Sequence, residues 1–152
     1  MKTKWMLRRK TDESLSRLPP MTNPSKVAAM QILNVILLNC HTARPDLLPL
    51  INLRLVQLTL KYGLSALSSV AFSSYGMILC GVMNDFEGGY RYGQLSLSLL
   101  EKDNAREWIP RVYAYYYGTI QHWKRPLSLS LKPLYQSHQI ALETGDIEFA
   151  VS

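Results

Sequence analysis

The chain contains three histidines and two cysteines, the side chains that most often hold metals or act as nucleophiles. They are His41, His122, His138, Cys40 and Cys80. No two histidines have the spacing of a metal site, and the neighbours Cys40 and His41 point to different faces of a helix. Cys80 has no partner base at a recognisable spacing and is typical of a small core residue. The sequence therefore predicts no catalytic residue, no metal site and no cofactor.

A glycine-rich stretch, "GGYRYG" at 88–93, has the glycine content of a phosphate-binding loop. It lacks the Gly-Lys-Ser/Thr ending of such loops, because Gln94 and Leu95 follow Gly93. It also lies within a helical pattern and not between a strand and a helix. We therefore expect these glycines to be packing positions.

Aromatic side chains are concentrated in "VYAYYYGTIQHWKRP" at 112–126, beside several basic residues. The tyrosines and the tryptophan cannot all face one side of a helix, so at least one should reach the surface. Tyr116, Tyr117 and Trp123 are therefore candidates for a protein-binding surface, since exposed aromatics anchor interfaces. The structural alternative is that the same residues pack between helices. A nucleic-acid strand is a less favoured partner than a protein.

The net charge of +6 is concentrated in the first ten residues, "MKTKWMLRRK", which contain five basic residues and no acid. The remaining residues carry 12 basic and 11 acidic groups, so they are nearly neutral. We expect residues 1–20 to form a flexible basic lead-in, with contact to an anionic partner as the alternative. With two cysteines and no apolar signal segment after the basic residues, the expected setting is reducing and cytoplasmic.

Seven helical segments are indicated by capping residues and prolines along the rest of the chain. Asn23-Pro24 is a helix start, Gly63 a helix end, and Asn84 or Asp85 the cap of a further helix. Predicted starts fall near residues 24, 45, 65, 86, 106, 127 and 146. A spacing of about 20 residues is typical of antiparallel helix hairpins stacked as an α-solenoid or bundle.

The stretch Leu64–Met83 contains twenty residues and no charge. Its length permits a membrane span, but five serines and two glycines lower its hydropathy, and no aromatic or basic belt flanks it. Small residues at Ala66, Ser69, Ser73 and Gly76 recur at helical spacing. We therefore predict a buried central helix, and a membrane-associated helix is the alternative.

The segment from Leu64 to about Lys102 resembles a tetratricopeptide-type hairpin. Gly76 lies in its first helix, Asp85-Phe86 form the turn, and Gly89 and Gly93 supply the close contact in its second helix. The first-helix tryptophan of that motif is absent, and Gly93 replaces its usual aromatic residue.

Three longer phrases resemble the helical region of large bacterial multidomain signalling kinases. They are "LPPMTNPSKVAAMQIL", "LTLKYGLSALSSVAFSSYGMILCGVMNDFEGGYRYGQLSLSLLEK" and "HWK…LKPLYQSHQIALETGDIEFA". In that family a serine/threonine-kinase-like domain and an AAA-type ATPase precede the helical region, and a GAF domain and a histidine kinase follow it. The resemblance implies a spacer and interaction role without catalytic residues, since the family's catalytic motifs have no counterpart here.

The sequence as a whole predicts an all-α protein with about six helices and a truncated seventh, "DIEFAVS". Residues 1–20 are the lead-in and residues 21–152 the helical-repeat domain, expected to be a fragment of a larger array. The short last helix should leave an apolar face that binds protein, either other domains of a kinase or a second copy. The residues of this face are Leu134, Ala141, Leu142, Ile147, Phe149, Ala150 and Val151. We expect no nucleic-acid partner. The alternatives are a small membrane-associated protein and an enzyme with an unrecognised site.

Overall fold

A computed structural model describes residues 2–150, and every regular element in that range is helical. The α-helices of the range are α1 (Lys2–Leu7), α2 (Asp12–Ser16), α3 (Pro24–Ala43), α4 (Leu48–Tyr62), α5 (Ser68–Gly81), α6 (Phe86–Asp103), α7 (Ile109–Tyr113), α8 (Ser128–Thr144) and α9 (Ile147–Ala150). Short 3-10 turns precede α4 at Pro45–Leu47 and α7 at Arg106–Trp108. The all-α class predicted from the sequence is confirmed.

The helix starts and ends follow the capping residues. The Asn23 side chain accepts a hydrogen bond from the Lys26 N–H at 3.3 Å, and Asp85 accepts one from the Gly88 N–H at 2.9 Å. These bonds satisfy backbone donors that a helix leaves free in its first turn. Gly63 ends α4 with a φ of +104°, in the region that favours glycine. These three predictions are therefore confirmed.

Residues 2–20 differ from the loose lead-in expected from the sequence. They form α1 and α2, and Leu7 and Leu15 are buried in the main core. Backbone hydrogen bonds fix the end of this segment, because Leu64 N–H donates to the Pro19 carbonyl at 2.8 Å and Met21 N–H to the Leu64 carbonyl at 2.6 Å. Burial of two leucines outweighs the charge pattern on which the prediction rested. The boundary at residue 20 stays a prediction.

Helix α5 forms the centre of the molecule and contacts α4, α6 and α7. Nearly all its side chains are buried, including four serines. Two of these serines bond within the helix, because the hydroxyls of Ser73 and Ser74 donate to the Val70 carbonyl at 3.0 and 2.8 Å. Within residues 2–150 no helix is both long enough and apolar enough to cross a membrane. The predicted interior helix is confirmed, and the membrane alternative for Leu64–Met83 is not supported.

Gly76 and Gly89 let α5 and α6 approach closely, and Gly93 makes room for the Tyr116 ring of the segment after α7. A Cβ atom at Gly89 would clash with the Cys80 Sγ and lie 2.8 Å from the Gly76 carbonyl oxygen, and one at Gly93 would lie 2.6 Å from the Tyr116 ring. Contacts this short exclude any larger side chain unless the backbone moves. The interpretation of "GGYRYG" as packing glycines is therefore confirmed.

The helices from α3 to α9 pack mainly on their neighbours in the chain, and the end of α3 also contacts the segment after α7 through His41 and Tyr115. Between α7 and α8 the helix widens into a π segment, Ala114–Ile120, followed by a 3-10 turn at Gln121–Trp123. A tetratricopeptide-like solenoid remains a prediction, because neighbour packing is common to many helical bundles.

Candidate interaction surface

Helix α8 presents an apolar stripe to solvent. Leu131, Tyr135 and Leu142 are 66%, 65% and 60% exposed. They are four and seven residues apart, so they lie on one face of the helix. Leu127, at the helix start, extends the same row and is also exposed. We name these four residues the α8 stripe.

The opposite face of α8 fixes the orientation of the stripe. Ile140 and Ala141 are buried, and so is Ser137, whose hydroxyl donates to the Pro110 carbonyl of α7 at 3.1 Å. Helix α8 therefore rests on α7 by a buried row of small and apolar groups. Most of the large apolar side chains of α8 face away from the protein, which is the reverse of what a helix docked on one side requires.

Helix α9 is fastened beside α8 by a mostly buried ion pair. The Arg111 Nε donates to the Asp146 carboxylate at 2.8 Å, and its guanidinium lies 5.3 Å from the Trp108 ring and 5.4 Å from the Phe149 ring. Phe149 also meets the Tyr115 ring edge-on at 5.9 Å. These contacts leave Ile147 on the outside, where it is 69% exposed. Ile147 thus adds to the apolar surface next to the stripe.

The structure separates the aromatic residues proposed from the sequence. Tyr116 is buried against Gly93 and its hydroxyl accepts a hydrogen bond from Gln94, so its assignment to a surface is corrected. Tyr117 is half-buried and meets the Tyr113 and Tyr116 rings edge-on. The π segment turns these rings inward, because its wider turns change which residues share a face.

Trp123 is half-exposed and stacks on Phe86 at a centroid distance of 4.3 Å. Leu142 and Ile147 are exposed as predicted, whereas Leu134 and Phe149 are half-buried. The predicted exposure of Ala141 and Ala150 is wrong, because both are buried where α8 and α9 pack on the rest of the protein. The predicted Val151 lies outside the described residues. Sequence reasoning missed Leu131 and Tyr135, although their spacing to Leu142 is a helical signal that the alternation of "LSLSL" at 127–131 obscures.

A second exposed apolar row lies on α3. Ile32, Val35 and Ile36 reach solvent there, and Leu50 of α4 does so as well. This row is shorter than the α8 stripe and contains no aromatic residue. It offers a comparison surface of similar hydrophobicity on another part of the molecule.

An open cleft lined by histidines and tyrosine lies between α3, the π segment and α8, with a volume of about 620 Å³. His41 Nε2 lies 3.1 Å from the Tyr115 hydroxyl oxygen, and His138 Nδ1 donates to the Ala150 carbonyl at 2.6 Å. Burial lowers the pKa of His41, which the Glu148 carboxylate partly opposes. Burial also raises the pKa of Tyr115 to about 12. Both histidines therefore join elements of the fold.

The cysteines are also placed as core groups. Cys80 is buried against Gly89, and burial raises the pKa of its thiol. A thiol with a raised pKa stays protonated near neutral pH and is a weak nucleophile. Among residues 2–150 no three histidine, cysteine, aspartate or glutamate side chains lie together as they would around a metal ion.

The chain is similar in sequence to part of a signalling kinase. It is 28% identical over 128 residues to a hybrid signal transduction histidine kinase G of Dictyostelium discoideum, and the match covers 83% of this chain. The chain spans about 4% of the length of that relative. No protein-family model and no solved structure matches the chain. The chain is therefore similar to a short part of a large signalling protein.

Proposed function

We propose that this chain is a non-enzymatic helical interaction segment of a signal-transduction ATPase or kinase, and that the α8 stripe is its protein-docking surface. The observation that carries the proposal is the stripe itself. Leucine and tyrosine side chains are largely exposed there, although the same helix buries serine and alanine. Apolar rows of this kind mark protein contacts, with the aromatic residue as the anchor.

The similarity to a signalling kinase supports the context of the proposal. The matched part of that relative is a small fraction of its length. A helical segment within such a protein can hold its domains together or respond to their rearrangement, because packed helices have discrete alternative arrangements. The partner that we propose for the α8 stripe is a second copy of this segment, and another domain of the same kinase is the alternative.

The reactive side chains of the chain already have structural contacts, which supports the non-enzymatic part of the proposal. His41 and His138 bond to neighbouring elements, and Cys80 is buried with a raised pKa. The proposal expects purified protein to hydrolyse ATP no faster than a mock preparation. Hydrolysis above that background, lost on changing one residue of the chain, would overturn this part.

The docking surface is tested by oxidative footprinting of the protein in dilute and concentrated solution. Tyr135 and Trp123 are matched probes, because both aromatic rings reach solvent at separate places. Assembly through the α8 stripe should protect Tyr135 and leave Trp123 reactive. Equal reactivity of Tyr135 at all concentrations, or protection of Trp123 alone, would contradict the assignment of the surface.

A further inference from the structure

Helix α1 is a rigid platform, because one of its faces is built into the core. Leu7 belongs to the main hydrophobic cluster, and Thr3 is buried. The amide nitrogen of Gln57 on α4 donates to the Thr3 hydroxyl at 2.8 Å. The outward face of α1 is therefore held in one orientation.

That outward face carries an exposed tryptophan among cations. Trp5 is 76% exposed. Lys2, Lys4 and Arg8 are exposed beside it and line one open depression with its ring. Exposing the apolar area of an indole to water is unfavourable, and tryptophan and arginine are among the residues most enriched as interface anchors. We name these four residues the α1 ridge.

The positive charge of the α1 ridge has no acidic partner within residues 2–150. Lys2, Lys4 and Arg8 form no ion pair in that range. The acids that follow α1 in sequence are engaged elsewhere. Asp12 accepts from Arg91 at 2.7 Å, and Glu13 pairs with Arg17 at 2.6 Å.

A groove beside the α1 ridge has the size of a side-chain pocket. It lies between α1 and the turn joining α5 to α6, with a volume of about 270 Å³. Lys4, Arg8 and Arg91 line it together with the Tyr75 and Tyr92 rings. Its one carboxylate among the described residues, Asp85, keeps its negative charge while it accepts from the Gly88 N–H as the cap of α6. Arg91 is paired with Asp12, so Lys4 and Arg8 give the groove an excess of positive charge. The groove can thus receive a carboxylate between Lys4 and Arg8, which are one helical turn apart.

We infer that the α1 ridge binds an acidic segment of a partner protein. An Asp or Glu side chain of that segment enters the groove between Lys4 and Arg8, and an apolar neighbour packs on Trp5. A concave groove suits one acidic side chain, whereas a membrane surface offers a flat layer of headgroups. A single tryptophan also gives one stacking platform, whereas single-stranded nucleic acid is bound by several. The inference uses no residue of the α8 stripe.

The test is fluorescence anisotropy with a short labelled peptide of alternating Glu and Leu residues. The matched probe replaces each Glu by Gln, and further probes are a thymine oligonucleotide and phosphatidylserine vesicles. The protein variants are Lys4→Glu/Arg8→Glu and, separately, Trp5→Ala. Arg54→Glu/Lys132→Glu is the control, since it changes the net charge equally at exposed residues that form no ion pair in the described structure. Circular dichroism shows whether each variant is folded.

The inference expects the Glu peptide to bind and to weaken as salt rises from about 50 to about 300 mM. Each α1 variant should weaken binding by about tenfold, and the control by much less. Equal binding of the Gln peptide, or an equal loss in the control, overturns the inference. Tighter binding of the oligonucleotide or the vesicles than of the peptide overturns it as well. The wild-type protein alone gives the comparison of the Glu and Gln peptides and the dependence on salt. These two results test the inference even if a double variant misfolds.

Discussion

At residue 89 the side chain is a single hydrogen because α5 and α6 are in backbone contact there. An added methyl group would meet the Cys80 sulfur and the Gly76 carbonyl oxygen. Gly89→Ala should therefore lower the free energy of unfolding by about 1–3 kcal/mol, despite the better helix propensity of alanine. Urea denaturation followed by circular dichroism measures this loss.

Gly81 is the matched control for that substitution. It is the last residue of α5, whereas Gly89 lies in α6, and a Cβ atom at Gly81 would meet nothing within 4 Å. Gly81→Ala should leave stability unchanged or raise it by up to about 1 kcal/mol. If the two variants unfold alike, the close α5–α6 contact is wrong.

His41 makes the stability depend on pH. Burial lowers its pKa in the folded state below 6.5, the ordinary value. The unfolded chain therefore binds a proton more readily, so stability is full above pH 6.5 and falls as the pH drops through the folded-state pKa. His41→Gln should reduce the fall in melting temperature on acidification.

The matched variant is His122→Gln, which removes an exposed imidazole. Melting curves of both variants and of the wild type across that pH range separate the effect of His41 from the loss of any histidine. Identical pH profiles for His41→Gln and the wild type would show that His41 is not the group responsible.

At the scale of the elements, the position of α9 depends on the Arg111–Asp146 ion pair. Both side chains are mostly buried, and removing the carboxylate leaves the guanidinium without its charge partner. Asp146→Asn should lower the free energy of unfolding by about 3 kcal/mol. The exposed pair Arg44–Asp46 is the control, and Asp46→Asn should change stability little because water screens that pair. Equal losses of unfolding free energy for both substitutions in urea titrations would contradict the role of the Arg111–Asp146 ion pair in holding α9.

Helices whose signals are local could be predicted from the sequence. The caps Asn23 and Asp85 and the end at Gly63 follow from the bonding needs of the nearest backbone groups. The interior position of α5 follows from its small uncharged side chains. Elements that depend on distant contacts could not be predicted in this way. Helix α1 is ordered by contact with α4, and its own sequence indicates a basic arm.

The same distinction applies to the candidate surface. Leu142 and Ile147 could be placed at the surface from their position near the last helix. Tyr116 could not be placed, because the π segment changes the helical period on which the prediction relied. The exposure of Leu131 and Tyr135 could not be predicted either, because it depends on which face of α8 is buried. The structure shows that face.

At the scale of the whole molecule, two exposed apolar rows lie on helices that are far apart in the chain. They are the α8 stripe and the row of Ile32, Val35 and Ile36 on α3. Helices with uncovered apolar faces tend to associate, because association removes those faces from water. We assign the docking role to the α8 stripe, because it is longer and contains the aromatic Tyr135.

The most direct test of that assignment is sedimentation velocity from about 1 to about 100 µM protein. The account predicts that the wild type forms dimers or larger species as concentration rises. Leu131→Ser/Leu142→Ser should shift the protein toward monomer, whereas Ile32→Ser/Val35→Ser, which removes a similar amount of exposed apolar surface from α3, should not. A wild type that stays strictly monomeric, or a larger effect of the α3 substitutions, would contradict the account.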